Sequence, residues 1–291
     1  MLRSALPLKD DDWGGWTRNA NLEKLLDTSR CTIDVRSNLS SSEFVTEYVQ
    51  RSRPVMLRGP AAYACTAGWD ASTRWREANF VAHYGEVPIG DGPSGNAAYR
   101  GTQSVAQAIA RMHREPPAIY RWSSFATENI THAALRDVRV PPIFAESLQP
   151  GDSVQASLFM TSPGQGAGWH NHGDALNALV FGRKRWFLYG PMDLHETNIV
   201  ASRGSSNTNS NGRNNFVSQQ WFFEVLYPRL HATASEPLEC VQRRGDLVYV
   251  PSDWAHMTLS IGASVASTFL RNSGWGETVA TAPAAVASSS S

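Results

Sequence analysis

The chain has 291 residues, of which 42% are hydrophobic and 10% aromatic, enough for a globular protein with a substantial buried core. Lysine plus arginine and aspartate plus glutamate both total 26, which removes the electrostatic argument for nucleic acid or anionic lipid as an obligatory partner. No apolar run approaches the roughly 20 residues that a membrane-spanning helix needs, so no membrane span is predicted.

The first part of the chain combines a polar leader with the start of a folded domain. Residues 1–30 are interpreted as an N-terminal leader that attaches to the domain, and their apolar stretch is too short to predict a secretory signal peptide. Ser40 begins a capping box that predicts a helix over 41–52. The apolar run 54–57 before a glycine predicts a buried strand. The domain itself is expected over 31–272.

Short strand patterns, separated by glycine and proline turns, dominate the rest of the chain after one more helix near 105–112. A turn at Gly182-Arg183 predicts that the strands on either side form a hairpin. The stretch 201–215 is rich in serine and asparagine and is predicted to be a disordered insertion, and 273–291 a flexible tail. The pattern favours a mainly β fold, an antiparallel barrel or jelly roll with N-terminal and inserted helices. The predicted strands are 118–122, 154–160, 176–181, 185–189, 238–242, 246–250, 257–261 and 264–270.

The cysteines and the glycosylation sequons say little about the compartment. Cys31, Cys65 and Cys240 are widely spaced, so they form neither a CxxC metal site nor a dense disulfide framework. One bridge with one free thiol is compatible with this spacing, but three unpaired cysteines are the expectation. The sequons that begin at Asn38 and Asn129 would matter only in a secretory compartment.

Three histidines are the candidate metal ligands. His170 and His172 are two residues apart just before a strand, so on an extended chain their side chains share a face, and Asp174 joins them if the extension continues. His256 follows a later strand that can lie beside the pair in a barrel. Three imidazoles at an enclosed site suit Fe, Mn, Ni, Cu or Zn. The other histidines are predicted to be solvated or structural: His83, His113, His132, His195 and His231.

The spacing around these histidines resembles the two motifs of the cupin superfamily. The first string is Gly164, five residues, then His170-x-His172, and the second is Gly245, five residues, Pro251, four residues, then His256. The stretch NALVFGRKRWFLY, which begins at Asn177, is similar to the hairpin of jumonji-C oxygenases. The resemblance covers about residues 31–270. It implies a double-stranded β-helix barrel that holds Fe(II) on the three histidines.

The same resemblance implies a 2-oxoglutarate site. Residue by residue, it makes Asn177, Lys184 and Thr268 the candidate cosubstrate ligands. A lysine ammonium that points into a barrel beside a metal needs an anionic partner, because an unpaired buried charge is costly. Without the resemblance, Lys184 would be interpreted as a solvated residue at the tip of a hairpin. Trp186 is predicted to pack as barrel wall, and Trp169, on the opposite face from His170, is predicted to pack away from the metal.

One position departs from the family pattern and leaves three functions open. Active jumonji oxygenases have a carboxylate where this chain has His172, and Asp174 is an alternative ligand or a hydrogen-bond partner of a ligating histidine. The favoured hypothesis is a 2-oxoglutarate-dependent protein hydroxylase with a protein or peptide substrate. The second is a metal-binding scaffold or adaptor with little or no activity, and the third is a small-molecule cupin enzyme that does not use 2-oxoglutarate. The resemblance to one member of this family also implies the lumen of the endoplasmic reticulum.

Overall fold

The computed structural model describes residues 12–90, 102–114, 119–123, 129–193, 225–230 and 236–273. The predicted insertion 201–215 and nearly all of the predicted tail lie outside these ranges. No helix within them is both long and apolar enough to cross a membrane. The helices are α1 (Ala20–Leu26), α2 (Ser41–Phe44, continued as a π-helix over Val45–Val49), α3 (Pro60–Thr66), α4 (Ala71–Arg74), α5 (Glu77–Tyr84), α6 (Val105–Arg114), α7 (Asn129–Ala134), α8 (Pro142–Ala145) and α9 (Tyr227–Leu230).

The strands form two facing sheets and a small separate ribbon. They are β1 (Asp34–Arg36), β2 (Val55–Leu57), β3 (Pro88–Gly90), β4 (Thr102–Ser104), β5 (Ile119–Ser123), β6 (Asp152–Thr161), β7 (Ala175–Phe181), β8 (Arg183–Tyr189), β9 (Leu238–Arg243), β10 (Leu247–Val250), β11 (Ala255–Ser260) and β12 (Ser264–Ser273). The larger sheet has the order β1-β2-β10-β7-β12-β6-β5, the smaller one the order β11-β8-β9, and the ribbon pairs β3 with β4. Every neighbouring pair except β1 with β2 is antiparallel, as in the jelly roll that the sequence predicts.

An irregular segment, 164–172, extends the smaller sheet on the free side of β11. The backbone N–H groups of Thr258 and Ser260 donate to the carbonyl oxygens of Ala167 and Gln165, at 3.0 and 2.7 Å. A glycine is required here, because a Cβ at Gly166 would lie 2.0 Å from the Thr258 carbonyl oxygen. This close approach brings the segment that contains the first two candidate ligands against the strand that contains the third.

The predicted hairpin around Gly182 is wrong. Strands β7 and β8 follow each other in the chain, but β7 pairs with β10 and β12, whereas β8 pairs with β11 and β9. The chain turns a corner at Gly182, which has φ +92°, and a side chain there would strike the backbone of Ser264. Consecutive strands therefore form opposite walls of the barrel.

Alternating side chains separate the barrel interior from an outer core. On β10, Leu247 and Tyr249 belong to the large core beneath the N-terminal helices, whereas Val248 and Val250 belong to a cluster inside the barrel. The helices thus cover the outer face of the larger sheet, and the largest fully buried side chains in or next to them are Phe44, Tyr48, Trp75, Phe80 and Phe144. Truncating such an aromatic residue typically costs about 3–5 kcal/mol of unfolding free energy.

The last part of the leader packs onto the barrel corner. Trp13 and Trp16 are both 3% exposed, and the backbone N–H of Gly182 donates to the carbonyl oxygen of Asp12 at 2.8 Å. The guanidinium of Arg183 pairs with the carboxylates of Asp12 and Asp27. These contacts attach residues 12–27 to the corner that separates the two sheets.

The expectation of three unpaired cysteines is wrong. Cys31 and Cys240 form a disulfide across 209 residues of chain, and Cys65 is a free, buried thiol on α3. The sequence spacing could not show this pairing, because it depends on Thr32, whose backbone N–H donates to the Glu239 carbonyl oxygen at 2.7 Å. That contact holds the segment before β1 beside β9.

Candidate metal centre

The three candidate ligands converge at one end of the barrel interior. Backbone hydrogen bonds of 3.1 and 2.9 Å join His170 and His256 in both directions, and His172 is two residues further along. One possible ligand atom from each of the three rings lies within 4.8 Å of the others. Ring centroids are 4.1 Å apart for His170 and His256, and 4.7 Å for His172 and His256. This spacing fits a single metal ion bound by three imidazoles.

Backbone carbonyl oxygens fix the tautomer of each imidazole. A carbonyl oxygen can only accept, so each Nδ1 must carry the proton, and the lone pair of each ring is then on Nε2. This is how proteins orient histidines that bind a metal. The Nδ1 atoms of His170, His172 and His256 donate to the carbonyl oxygens of Gly168, Gly173 and Trp254, at 2.6, 2.7 and 2.9 Å respectively.

Burial keeps the innermost imidazole neutral. His256 is 4% exposed, and its pKa is lowered well below the ordinary value, first by desolvation and then by the neighbouring His170 and His172. A neutral imidazole is the form that binds a metal. Three imidazoles that bind a metal in this form add no charge, so a divalent ion bound here would keep its full charge.

Asp174 does not join this set. Its Oδ1 accepts the backbone N–H of Ser252 at 2.7 Å, and its Oδ2 pairs with Arg271 at 2.8 Å. The Nδ1 atoms of the three histidines donate to backbone carbonyl oxygens, so Asp174 does not orient a ligand either. Both predicted roles of Asp174 are thus at odds with its contacts. The Asp174 carboxylate instead ties the loop after His172 to the loop before β11.

A pocket of about 520 Å³, including the space open to solvent at its mouth, extends from the histidines into the barrel. Asn177, Lys184 and Thr268 all line it. Asn177 and Thr268 are cross-strand partners on β7 and β12, and the Asn177 amide lies 2.7 Å from the Thr268 hydroxyl. The pocket thus brings the three predicted cosubstrate ligands to the three predicted metal ligands.

The Asn177 amide has one group to offer a ligand. Its Nδ2 donates to Thr268, and its buried Oδ1 has no hydrogen-bond partner. A 180° rotation of the amide lets Oδ1 accept the Thr268 hydroxyl proton and turns Nδ2 into the pocket as a donor. A bound carboxylate would satisfy that donor.

Lys184 is buried inside the barrel rather than solvated at a turn. It is 4% exposed, and desolvation lowers its pKa to about 8. In the described part of the chain no carboxylate pairs with its ammonium group, and the ring centroid of Phe159 lies 5.9 Å from Nζ. The pocket therefore contains a cation that an anionic ligand would stabilise.

Aromatic residues complete the pocket wall, and one of them was not expected there. Trp186 lines the pocket and stacks on His256, with ring centroids 6.0 Å apart and planes 29° from parallel. The sequence could have indicated this, because Trp186 is two residues after Lys184 and so lies on the same face of β8. Trp169 behaves as predicted, since it packs on Tyr189 in a separate cluster away from the metal ligands.

Comparison with known proteins establishes the family. The family model described as the cupin-like domain matches residues 40–269. The chain belongs to the cupin-like domain family. It is 28% identical over 279 residues to JmjC domain-containing protein 8 of Mus musculus, which covers 93% of each chain. The predicted resemblance to cupin and jumonji-C proteins is therefore confirmed.

Two further relatives of this cupin-like protein are named for enzyme activities. A lysine-specific demethylase of Arabidopsis thaliana is 29% identical over 251 residues, which is 81% of this chain and 25% of that protein. A bifunctional arginine demethylase and lysyl-hydroxylase of Caenorhabditis briggsae is 25% identical over 245 residues, which is 79% of this chain and 58% of that protein. The relatives include both proteins of similar length and much longer enzymes.

Proposed function

We propose that this protein is an Fe(II)- and 2-oxoglutarate-dependent oxygenase that hydroxylates a protein substrate. The observation that carries the proposal is Lys184, a buried ammonium group in the same pocket as three convergent imidazoles. A metal site alone would not need such a cation, whose burial destabilises the fold. A dicarboxylate that also binds the metal would give it a partner.

The residues of the pocket fit both groups. His170, His172 and His256 would hold iron through Nε2, and three protein ligands leave coordination positions open for a cosubstrate and oxygen. Lys184 and the Asn177–Thr268 pair would bind the distal carboxylate of 2-oxoglutarate. When bound, iron and cosubstrate supply oxidation: dioxygen converts 2-oxoglutarate to succinate and carbon dioxide, and one oxygen atom enters the substrate.

Charge balance supports this assignment despite the missing carboxylate ligand. Three neutral imidazoles leave a divalent metal with two positive charges, and Lys184 adds a third inside the barrel. A cosubstrate with two carboxylates cancels two of these charges, and the low dielectric of the interior strengthens that attraction. With His172 in place of a carboxylate, the site is therefore more positive and attracts an anionic cosubstrate more strongly.

The substrate class rests on the relatives. One of them is named for lysyl hydroxylation, and we propose that this protein likewise hydroxylates a side chain of its protein substrate. The test is succinate formation by Fe(II)-loaded protein with peptide pools. Peptide-dependent succinate with a matching gain of one oxygen atom in the peptide supports a hydroxylase. Loss of a methyl group from a methylated peptide, released as formaldehyde, would indicate a demethylase instead.

A scaffold with a structural metal is the second candidate, and His172 favours it. An imidazole in place of the carboxylate alters the electronic environment of the metal and the metal preference of the site. A scaffold would bind metal but would not consume 2-oxoglutarate with any peptide. Turnover that is lost in His256→Ala and kept in the exposed-site variant His83→Ala would exclude the scaffold.

We propose the lumen of the endoplasmic reticulum as the compartment. The disulfide between Cys31 and Cys240 supports an oxidising environment, because such bonds are rare in the cytosol. The sequon residue Asn38 is exposed in the loop between β1 and α2, where a glycan could be attached. In protein from eukaryotic cells, we expect a Cys31–Cys240 crosslinked peptide and a glycan at Asn38. Free thiols at both cysteines would contradict the assignment.

A further inference from the structure

Three buried hydroxyl groups meet beside the pocket. Thr161 Oγ1 lies 2.7 Å from Ser260 Oγ and 2.6 Å from Ser264 Oγ, and the two serine oxygens are 2.8 Å apart. Thr161 is 2% exposed and both serines are 0% exposed. Of the three, Thr161 is the residue that lines the pocket. A hydroxyl triangle thus braces β6 of one sheet against β11 of the other.

The triangle lies at the Lys184 end of the pocket. Ser260 is the cross-strand partner of Lys184 on β11 and β8, so the two side chains leave the sheet on the same face. Thr161 is hydrogen-bonded to that serine. Thr161 and Lys184 therefore line the same end of the pocket, four residues along β11 from His256.

The hydroxyl triangle can donate one hydrogen bond to a ligand. Three hydroxyls can satisfy one another in a closed ring, each donating once and accepting once. A directed chain from Ser264 to Ser260 to Thr161 uses two of the three protons and leaves the Thr161 proton for a ligand. Such a chain polarises its last hydroxyl and strengthens the bond that this hydroxyl donates.

We propose that Thr161 donates a hydrogen bond to the distal carboxylate of the 2-oxo acid, so that the pocket favours acids that have this carboxylate. The inference rests on the proposed function. A carboxylate has about four lone-pair sites, more than one ammonium group can fill, so a further donor at this end stabilises it. Ser264 is packed against the corner at Gly182, which fixes the closed end. A three-carbon 2-oxo acid has no distal carboxylate for Thr161 to bind.

The test compares two 2-oxo acids on anaerobic, Fe(II)-loaded protein by calorimetry. 2-Oxoglutarate has a distal carboxylate and pyruvate has none. Thr161→Val keeps the shape of the side chain and removes the hydroxyl. We expect this variant to bind 2-oxoglutarate about tenfold more weakly, as for the loss of one hydrogen bond to a charged group, and pyruvate as the wild type does. Iron content and the unfolding midpoint are measured alongside.

Controls separate this inference from the proposed function. Thr66→Val removes a half-buried hydroxyl on α3, which donates to the Ala62 carbonyl oxygen, and should change neither affinity. An equal loss for both acids in Thr161→Val, or no loss for either, overturns the inference alone. Wild-type protein that binds 2-oxoglutarate no more tightly than pyruvate overturns the proposed cosubstrate and the inference with it.

Discussion

Asn177 and Lys184 stand on consecutive strands that belong to different sheets, and both side chains line the same pocket. The corner at Gly182 produces this relationship, because it takes the chain from one barrel wall to the other. An amide and an ammonium group thereby approach a ligand from opposite sides. The same wall that contains Lys184 pairs with the strand of His256, which links the anion site to the candidate metal centre.

Replacing Lys184 should separate cosubstrate binding from folding. Lys184→Met removes a buried charge, so the unfolding free energy should rise by on the order of 1–3 kcal/mol, while 2-oxoglutarate affinity falls about 100-fold. Denaturant unfolding and calorimetry measure the two quantities. Lys24→Met, on the exposed face of α1, is the matched control and should change neither. A destabilised Lys184→Met protein with full affinity would refute the assignment.

The affinity for 2-oxoglutarate should depend on pH through Lys184. Burial lowers the pKa of this lysine to about 8, and a bound carboxylate, which favours the ammonium form, raises it. Below pH 8 the ammonium is already present, so the affinity is flat there; above pH 8 binding must take up a proton, and the affinity falls by up to about tenfold per pH unit. Calorimetry at pH 7–9.5, with iron occupancy checked at each point, tests this. Lys184→Met should show no such slope.

Each of the three histidines should be needed for metal binding. His170→Ala, His172→Ala and His256→Ala each remove one of three nitrogen ligands, so Fe(II) affinity should fall by more than about 100-fold, beyond the effect of changing an outer hydrogen bond. His83→Ala, an exposed residue on α5, should bind metal normally. Metal analysis after dialysis gives the result. Full metal retention in any of the three would place the metal elsewhere.

A carboxylate at position 172 should retain the metal but weaken the binding of the anionic cosubstrate. His172→Asp lowers the charge of the metal centre by one unit, so a dianionic cosubstrate is attracted less, and its affinity should fall severalfold while Fe(II) remains bound. His172→Asn, which is similar in size and neutral, is the control for charge, and the two variants are compared at equal Fe(II) occupancy. An increase in 2-oxoglutarate affinity in His172→Asp, absent in the asparagine variant, would contradict the charge argument.

The disulfide should contribute to stability through the unfolded chain. Cys31 and Cys240 close a loop of 209 residues, and a crosslink of this span stabilises a protein by about 3–5 kcal/mol when the folded state is unstrained. The double variant Cys31→Ser, Cys240→Ser should therefore unfold at lower denaturant concentration. Reducing agent should lower the wild-type midpoint in the same way and leave the double variant unchanged. An effect of reducing agent on the variant would point to Cys65.

The sequence predicted the positions of the strands better than their partners. Alternating and continuous apolar runs located β6, β7 and β12 to within two or three residues, because such runs depend only on which side chains are buried. The hairpin at Gly182 was wrong, because a Gly-Arg turn and a sheet corner share the same residues. Pairing depends on β10 and β12, which lie at least 65 residues further along the chain.

For the candidate site, spacing predicted the set of residues but not their surroundings. The alternation rule placed His170 and His172 on one face, and the family motif added His256. Spacing alone could not predict the environment of Lys184, because its burial arises from the facing sheet; the family resemblance was needed to place it in the pocket. Asp174 was ambiguous for the same reason, since its partner Arg271 lies at the far end of the chain.

The most direct test of the central claim is an anaerobic titration of metal-free protein with Fe(II) and then 2-oxoglutarate. Chelation of the metal through the 2-oxo and carboxylate oxygens produces a weak visible charge-transfer band. We expect the band in wild-type protein, its loss in His256→Ala, and its appearance in Lys184→Met only at a much higher 2-oxoglutarate concentration. Iron binding by the wild type with no band at any concentration would contradict the oxygenase assignment and favour the scaffold.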